Sequence, residues 1–142
     1  MPALISNDCT ERCLRSCLAS ENFELSRPRA NGQTGVDILA KRGTETIHIE
    51  VIGFKESPPA RSKDFYEVFF RALSRIGVGA KRSVIALPRR FENGLPARAG
   101  QYGDSWIRIG NEFPELEIWL IDTEANSYRC TKWIDWAQHI EK

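Results

Sequence analysis

Two alternating apolar runs, joined by a short polar turn, constrain the fold of this chain more than any other feature. The runs cover residues 36–41 and 44–52, each about the length of one β-strand. Their apolar side chains are Val36, Ile38 and Ala40 in the first run and Ile47, Ile49 and Val51 in the second. The Arg42-Gly43 dipeptide between them is typical of a tight turn. We therefore predict an antiparallel hairpin with one apolar face.

The register of this hairpin decides which polar side chains share a face, because a slip of one residue reverses every side chain. Pairing Lys41 with Thr44 brings the two apolar sets together, which is the arrangement that burial favours. Asp37 then lies opposite His48 and diagonal to Glu50, at about 7 to 8 Å between backbones. We therefore expect the carboxylates of Asp37 and Glu50 to lie on one face, close enough to converge on one cation.

Two interpretations of this polar face remain open. Adjacent carboxylates repel each other unless a proton or a cation lies between them, and carboxylate oxygens suit Mg²⁺ or Mn²⁺. Such an ion could polarise a phosphoryl group and activate a water molecule. The alternative is an ordinary hairpin with a solvated outer face, on which Asp37, His48 and Glu50 have no chemical role.

The rest of the chain alternates helices and strands. A first helix, with Asp8 as its N-cap and Glu11 completing a capping box, is predicted to run to about Ser20. A second is predicted from about Ala60 to Ile76. Its predicted core face consists of Phe65, Phe69, Ala72, Leu73 and Ile76.

The uniformly apolar run SVIALP is typical of a strand buried on both faces. ENFELSRP and ELEIWLID predict further strands, RPRANGQTG predicts a loop, and residues 95–114 predict at most one short helix. TKWIDWAQHIEK predicts a final amphipathic helix with Trp133, Ile134, Ala137 and Ile140 on its apolar side. These elements predict a single α/β domain over residues 1–142, with a central mixed β-sheet of about four or five strands flanked by helices.

Positive charge is concentrated in the middle of the chain, although the net charge of the whole chain is only +1. Residues 60–90 contain eight Lys and Arg against two acidic residues. Such a segment predicts a phosphate-binding face, although a solvated helix face has a similar composition. The residues that we expect to contact nucleic acid are Arg71, Arg75, Lys81, Arg82 and Arg89.

The cysteines do not predict a metal site. Cys9, Cys13 and Cys17 recur every four residues, and a helix would separate the first from the third by about 12 Å, too far to share one zinc ion. We interpret Cys13 and Cys17 as part of an apolar helix face. No apolar run approaches the roughly 20 residues of a membrane span, and the first residues lack the order of a signal peptide. A reduced, cytoplasmic protein without disulfides is expected.

The order of these elements and acids resembles the PD-(D/E)XK nuclease superfamily, the restriction-endonuclease-like fold, over roughly residues 8–123. In that family an Asp heads one strand, the acid and lysine of a D/E-x-K triplet lie on the next strand, and a helix follows. Asp37 in GVD and Glu50 in IEVIG match the two acids. Glu11 matches the carboxylate that the first helix often contributes. The resemblance implies a nuclease of DNA or RNA that holds Mg²⁺ or Mn²⁺ with these three acids.

The triplet of this chain departs from the family, because Ile52 stands where the catalytic lysine is expected. Lys55, just beyond Gly53, and Lys63, in the following helix, are candidates to replace that lysine. We favour Lys55 because Gly53 allows the chain to bend back toward Glu50.

Lys63 also fits a surface ladder with Glu67 and Arg71 at a spacing of four, which stabilises a helix without any chemistry. Two functions therefore remain. The chain is either a metal-dependent nuclease, as a monomer or a homodimer, with Asp37, Glu50 and Lys55 as catalytic residues, or a catalytically inactive nuclease-like module. The inactive module would bind nucleic acid or a protein partner.

Overall fold

Six β-strands form one sheet in which the spatial order of the strands follows their order in the sequence. A computed structural model of the chain describes residues 4–30 and 35–139. The strands are β1 (Glu24–Leu25), β2 (Ile38–Arg42), β3 (Glu45–Val51), β4 (Ser83–Pro88), β5 (Leu116–Asp122) and β6 (Ser127–Lys132). Strands β3, β4 and β5 are parallel, and the other neighbours pair antiparallel, so the sheet is mixed.

Helices cover both faces of this sheet. The helices are α1 (Asn7–Ser20), α2 (Pro58–Gly77), α3 (Leu95–Tyr102) and α4 (Asp104–Glu112), with 3₁₀ helices at Arg89–Gly94 and Trp133–His139. Helix α1 packs on one face through Leu14 and Leu18, and the other helices pack on the opposite face around Phe65 and Trp106. The predicted single α/β domain with a mixed sheet flanked by helices is confirmed, although the sheet has six strands rather than four or five. No helix in the described part of the chain is both long enough and apolar enough to cross a membrane.

The hairpin has the predicted faces but not the predicted register. Ile38 pairs with Ile49 and Arg42 with Glu45, so the two-residue turn is Gly43-Thr44. The prediction of Arg42-Gly43 was wrong because Gly43 has a positive φ of 62° and takes the first turn position, which strongly favours glycine. A shift of two residues preserves the faces of the strands. It places Asp37, just before Ile38, level with Glu50.

Other predicted boundaries were corrected. Ser6, not Asp8, caps α1, because its Oγ accepts a hydrogen bond from the backbone N of Cys9 at 3.0 Å. Residues 95–114 hold two helices rather than one. Thr131 and Lys132 end β6, and a 3₁₀ helix follows, while Ile140 and residues 31–34 of the predicted loop lie outside the described residues.

The four cysteines are free, and Cys13 lies in the apolar core under α1 as predicted. Cys17 packs partly buried against the same core, whereas Cys130 is exposed on β6. These thiols therefore act as small apolar side chains or surface groups in this fold.

Two tryptophans join the C-terminal 3₁₀ helix to α4. The rings of Trp106 and Trp133 are stacked, with centroids 3.7 Å apart. The indole N–H of Trp106 donates to the carbonyl of Trp133 at 2.9 Å, and that of Trp133 donates to the carbonyl of Trp106 at 3.1 Å. Both buried indoles are thus satisfied by each other's backbone.

The start of α1 is held against the end of β3 at Gly53. The backbone N of Gly53 donates to Asn7 Oδ1 at 2.7 Å, and Ile5 and Phe54 exchange backbone hydrogen bonds on either side. A Cβ at Gly53 would lie 2.1 Å from the carbonyl oxygen of Ile5. The close approach of two backbones therefore requires glycine here.

We predict that Gly53→Ala lowers the unfolding free energy by about 1–3 kcal/mol or more, because backbone atoms must separate to admit the methyl group. The measurement is urea denaturation followed by circular dichroism. Gly77→Ala, at the end of α2, is the matched control, since a methyl group there would meet no described atom within 4 Å outside the backbone of its own helix. Equal stability of the two variants would contradict this description of the contact.

Candidate functional site

The carboxylate of Asp37 is fully engaged at the start of β2. Its Oδ2 accepts a hydrogen bond from the backbone N of Val51 at 2.8 Å, and its Oδ1 pairs with Arg29. The backbone carbonyl of Asp37 accepts a hydrogen bond from Arg15 at 3.0 Å. The residue is only 7% exposed. Asp37 therefore links the start of β2 to the end of β3 and to two arginines.

Glu50 is buried more deeply, on β3 beneath α2, with an exposed fraction of 0%. Its Oε2 accepts a hydrogen bond from Arg75 Nε at 2.8 Å, and Arg71 Nη1 lies 3.9 Å from its Oε1. Within the described residues, Oε1 has no hydrogen-bond donor. Burial raises the pKa of Glu50, and the nearby charge of Asp37 adds to this, whereas Arg75 and Arg71 lower it.

Both acids thus lie on one face, as the alternation of the hairpin predicts. The interpretation of Asp37 and Glu50 as solvated residues is wrong, because Asp37 is only 7% exposed and Glu50 is fully buried beneath α2. His48 is also half-buried, and burial and the charge of Arg75 lower its pKa.

The predicted third metal ligand, Glu11, and the predicted catalytic Lys55 make ion pairs elsewhere and do not join this acid pair. Glu11 lies on α1, which packs on the opposite face of the sheet, and pairs with Arg15 at 2.8 Å. Lys55 Nζ lies 2.8 Å from Asp64 Oδ2. Ile52, at the position of the expected lysine, is buried in the core under α2.

A hydrated divalent cation does not fit the acids as they are arranged. Mg²⁺ normally keeps several water ligands, and Glu50 has no solvent access. A guanidinium already supplies a positive charge to each acid, from Arg75 to Glu50 and from Arg29 to Asp37. Across residues 4–30 and 35–139, no group of three or more His, Cys, Asp or Glu is placed to hold a metal ion.

Most of the predicted phosphate-binding residues make ion pairs within the fold. Arg75 pairs with Glu50, Arg82 with Glu117 and Glu45, and Arg89 with Asp122. Arg71 lies 3.9 Å from both Glu50 and Glu67. Lys81 is exposed and makes no ion pair with the described acids. The basic segment therefore contributes to the fold first, and only part of its charge remains for a ligand.

The outer side of α2 carries a surface that the sequence did not single out. Lys63, Tyr66 and Phe70 are exposed there at helical spacing, next to Tyr102 of α3. The signal was present in the sequence, because Tyr66 and Phe70 fall outside the predicted core face of α2. Aromatic residues on the polar side of a helix are more informative than those in its core.

Comparisons with protein-family models, with curated proteins and with solved structures found no match for this chain. Its function must therefore be inferred from the contacts of the residues themselves.

We predict that Arg75→Met lowers the unfolding free energy by about 3–5 kcal/mol at neutral pH, because Glu50 is left buried without its partner. Without the guanidinium, the pKa of Glu50 lies still further above its ordinary value of 4.5. Protonated Glu50 stabilises the folded variant fully below its ordinary pKa of 4.5. This stabilisation is lost as the pH rises through the raised pKa of the folded state. Denaturation at about pH 5 and at about pH 8 should therefore show that Arg75→Met loses more unfolding free energy between the two pH values than the wild type does.

Two variants control this experiment. Arg108→Met removes an exposed partner of Asp104 and should change the unfolding free energy by only about 0–1 kcal/mol. Adding Glu50→Leu to Arg75→Met removes the unpaired acid and should restore most of the stability. A double variant that is no more stable than Arg75→Met alone would contradict the explanation.

Proposed function

We propose that this chain is a catalytically inactive nuclease-like module that binds nucleic acid through phosphate contacts. One observation carries the proposal: the buried acid Glu50 is paired with Arg75, and Ile52 occupies the core two residues later. Hydrolysis of a phosphodiester by the nuclease route needs a solvent-accessible cation and an activated water. The arginine neutralises the acid without providing either.

Cations without an acidic partner among the described residues support the binding half of the proposal. Lys63, Lys81 and Arg98 make no ion pair with the described acids, and all three lie on α2, on α3 or in the loop between α2 and β4. Arg61, at the start of α2, lies over the ring of Phe54 at 4.3 Å. Lys63 and Lys81 are exposed, and Arg61 and Arg98 are partly exposed. Exposed cations attract the phosphate backbone by displacing its counterions.

The second candidate is a Mg²⁺- or Mn²⁺-dependent nuclease. It is favoured by the buried Oε1 of Glu50, which lacks a donor among the described residues while Asp37 is its neighbour. This candidate requires Arg75 to release Glu50 and Lys55 to release Asp64, since both are in ion pairs. This candidate is supported by the resemblance of the sequence to nucleases and by the unpaired Oε1 of Glu50.

We predict that the protein binds labelled DNA or RNA with an affinity that falls steeply with salt. On duplex DNA the slope should be about 0.9 for each phosphate contact. Lys81→Gln should reduce that slope by about one contact, because it removes an exposed cation that no described acid pairs with. Fluorescence anisotropy over a series of KCl concentrations measures both. Arg27→Gln, which removes an exposed cation at the β1 edge of the sheet, is the control and should leave the slope unchanged.

We also predict that the protein does not cleave the same nucleic acids in millimolar Mg²⁺ or Mn²⁺. Any heat measured on adding Mn²⁺ should be the same for the wild type and for Asp37→Ala. Gel electrophoresis and calorimetry test the two statements. Cleavage that is lost in Glu50→Gln and Lys55→Met, but retained in Lys63→Met, would instead support the nuclease. Absence of nucleic-acid binding at low salt would overturn the proposed function itself.

A further inference from the structure

An apolar groove lies open on the outside of α2, α3 and α4. Its volume is about 190 Å³. The buried rings of Phe65, Trp106 and Trp133 form the floor, and the exposed rings of Tyr66, Phe70 and Tyr102 form the rim. With the half-buried ring of Phe69, seven aromatic rings thus line one groove, although aromatic residues are only 10% of the chain.

The rim rings are held in place but are not covered by the protein. Phe70 is 66% exposed, which is unusual for a phenylalanine in a helix. Its ring packs edge-on against Phe69, with centroids 5.2 Å apart. The hydroxyl of Tyr102 donates to that of Tyr66 at 2.7 Å, across the gap between α3 and α2. The groove is therefore formed before any ligand arrives.

Positive charge lies beside the groove. Arg98 does not line the groove itself, but its guanidinium carbon is 4.9 Å from the centre of the ring of Phe65, which is part of the floor. Arg98 makes no ion pair with the described acids. The hydrogen bond with Tyr66 raises the pKa of Tyr102, and the nearby charge of Arg98 partly offsets this. Lys63, about one turn before Tyr66 on the exposed side of α2, likewise has no described acid as a partner. A ligand that fits must combine a flat apolar surface with negative charge.

We infer that this groove binds an unpaired base of single-stranded nucleic acid, stacked on Phe70, Tyr66 or Tyr102, with Arg98 and Lys63 contacting the adjoining phosphates. Stacking on aromatic side chains needs a base whose face is free, and the bases of a duplex are already stacked on one another. Phosphates would supply a negative charge to pair with Arg98. An apolar segment of a protein partner would instead bury the guanidinium of Arg98 without a charged partner. The inference rests on the proposed function and adds that single strands are the preferred ligand.

The experiment measures fluorescence anisotropy with a labelled oligothymidylate of about 20 nucleotides and with a duplex of the same length. We expect the single strand to bind about tenfold more tightly or better, and Phe70→Leu to weaken its binding about tenfold. Leucine keeps an apolar side chain but lacks a ring, whereas Phe70→Trp keeps a ring and should retain affinity. Val78→Ala is the matched control, because Val78 is an 81% exposed apolar residue at the end of α2. A bound base should also quench the fluorescence of the Trp106–Trp133 pair in the floor.

Each outcome decides a different question. Equal affinity for single strand and duplex, with Phe70→Leu like the wild type, overturns the single-strand inference while the proposed binding function stands. Self-association that Phe70→Leu abolishes, with no effect on the single strand, also overturns it and assigns the groove to a second copy. Absence of binding to either nucleic acid overturns the proposed function and the inference together.

Discussion

The ion pair between Glu50 and Arg75 is the contact on which the packing of α2 against the sheet depends. It joins β3 to α2, and its carboxylate lies where water does not reach. A carboxylate in such a place is costly unless a partner neutralises it. The position of α2 over β3 therefore depends on keeping a guanidinium within hydrogen-bond distance of one buried oxygen.

A buried pair of this kind is weak evidence for stability on its own, since two apolar side chains of similar size often stabilise a protein as well or better. In this protein the pair fixes the position of α2 relative to β3. The same face also holds Asp37, whose carboxylate caps the backbone of Val51 and meets Arg29. Asp37 and Glu50 are thus both structural anchors in this fold, and each is paired with an arginine.

The sequence predicted the features that depend on local periodicity. The alternation along β2 and β3 placed Asp37 and Glu50 on one face, and the apolar run of β4 predicted a strand buried on both sides, as found. The burial of Glu50 was not predictable in this way, because its partner Arg75 lies 25 residues away on another element. Strand β6 was missed because its residues are mostly exposed and show no apolar alternation. Its pairing with β5 is a tertiary preference.

The order of the strands in the sheet has a consequence for how the chain acquires its structure. Every strand hydrogen-bonds to the strand that precedes or follows it in the sequence, so the strands can be added in sequence order. The antiparallel pairs β2–β3 and β5–β6 close short turns, whereas the parallel pairs β3–β4 and β4–β5 close longer connections through helices, at a cost that grows only slowly with length. A sheet with this topology can grow from one edge to the other as the polypeptide leaves the ribosome. Trp133 comes last in this order, and its stacking on Trp106 joins the final 3₁₀ helix to α4 and forms the floor of the aromatic groove.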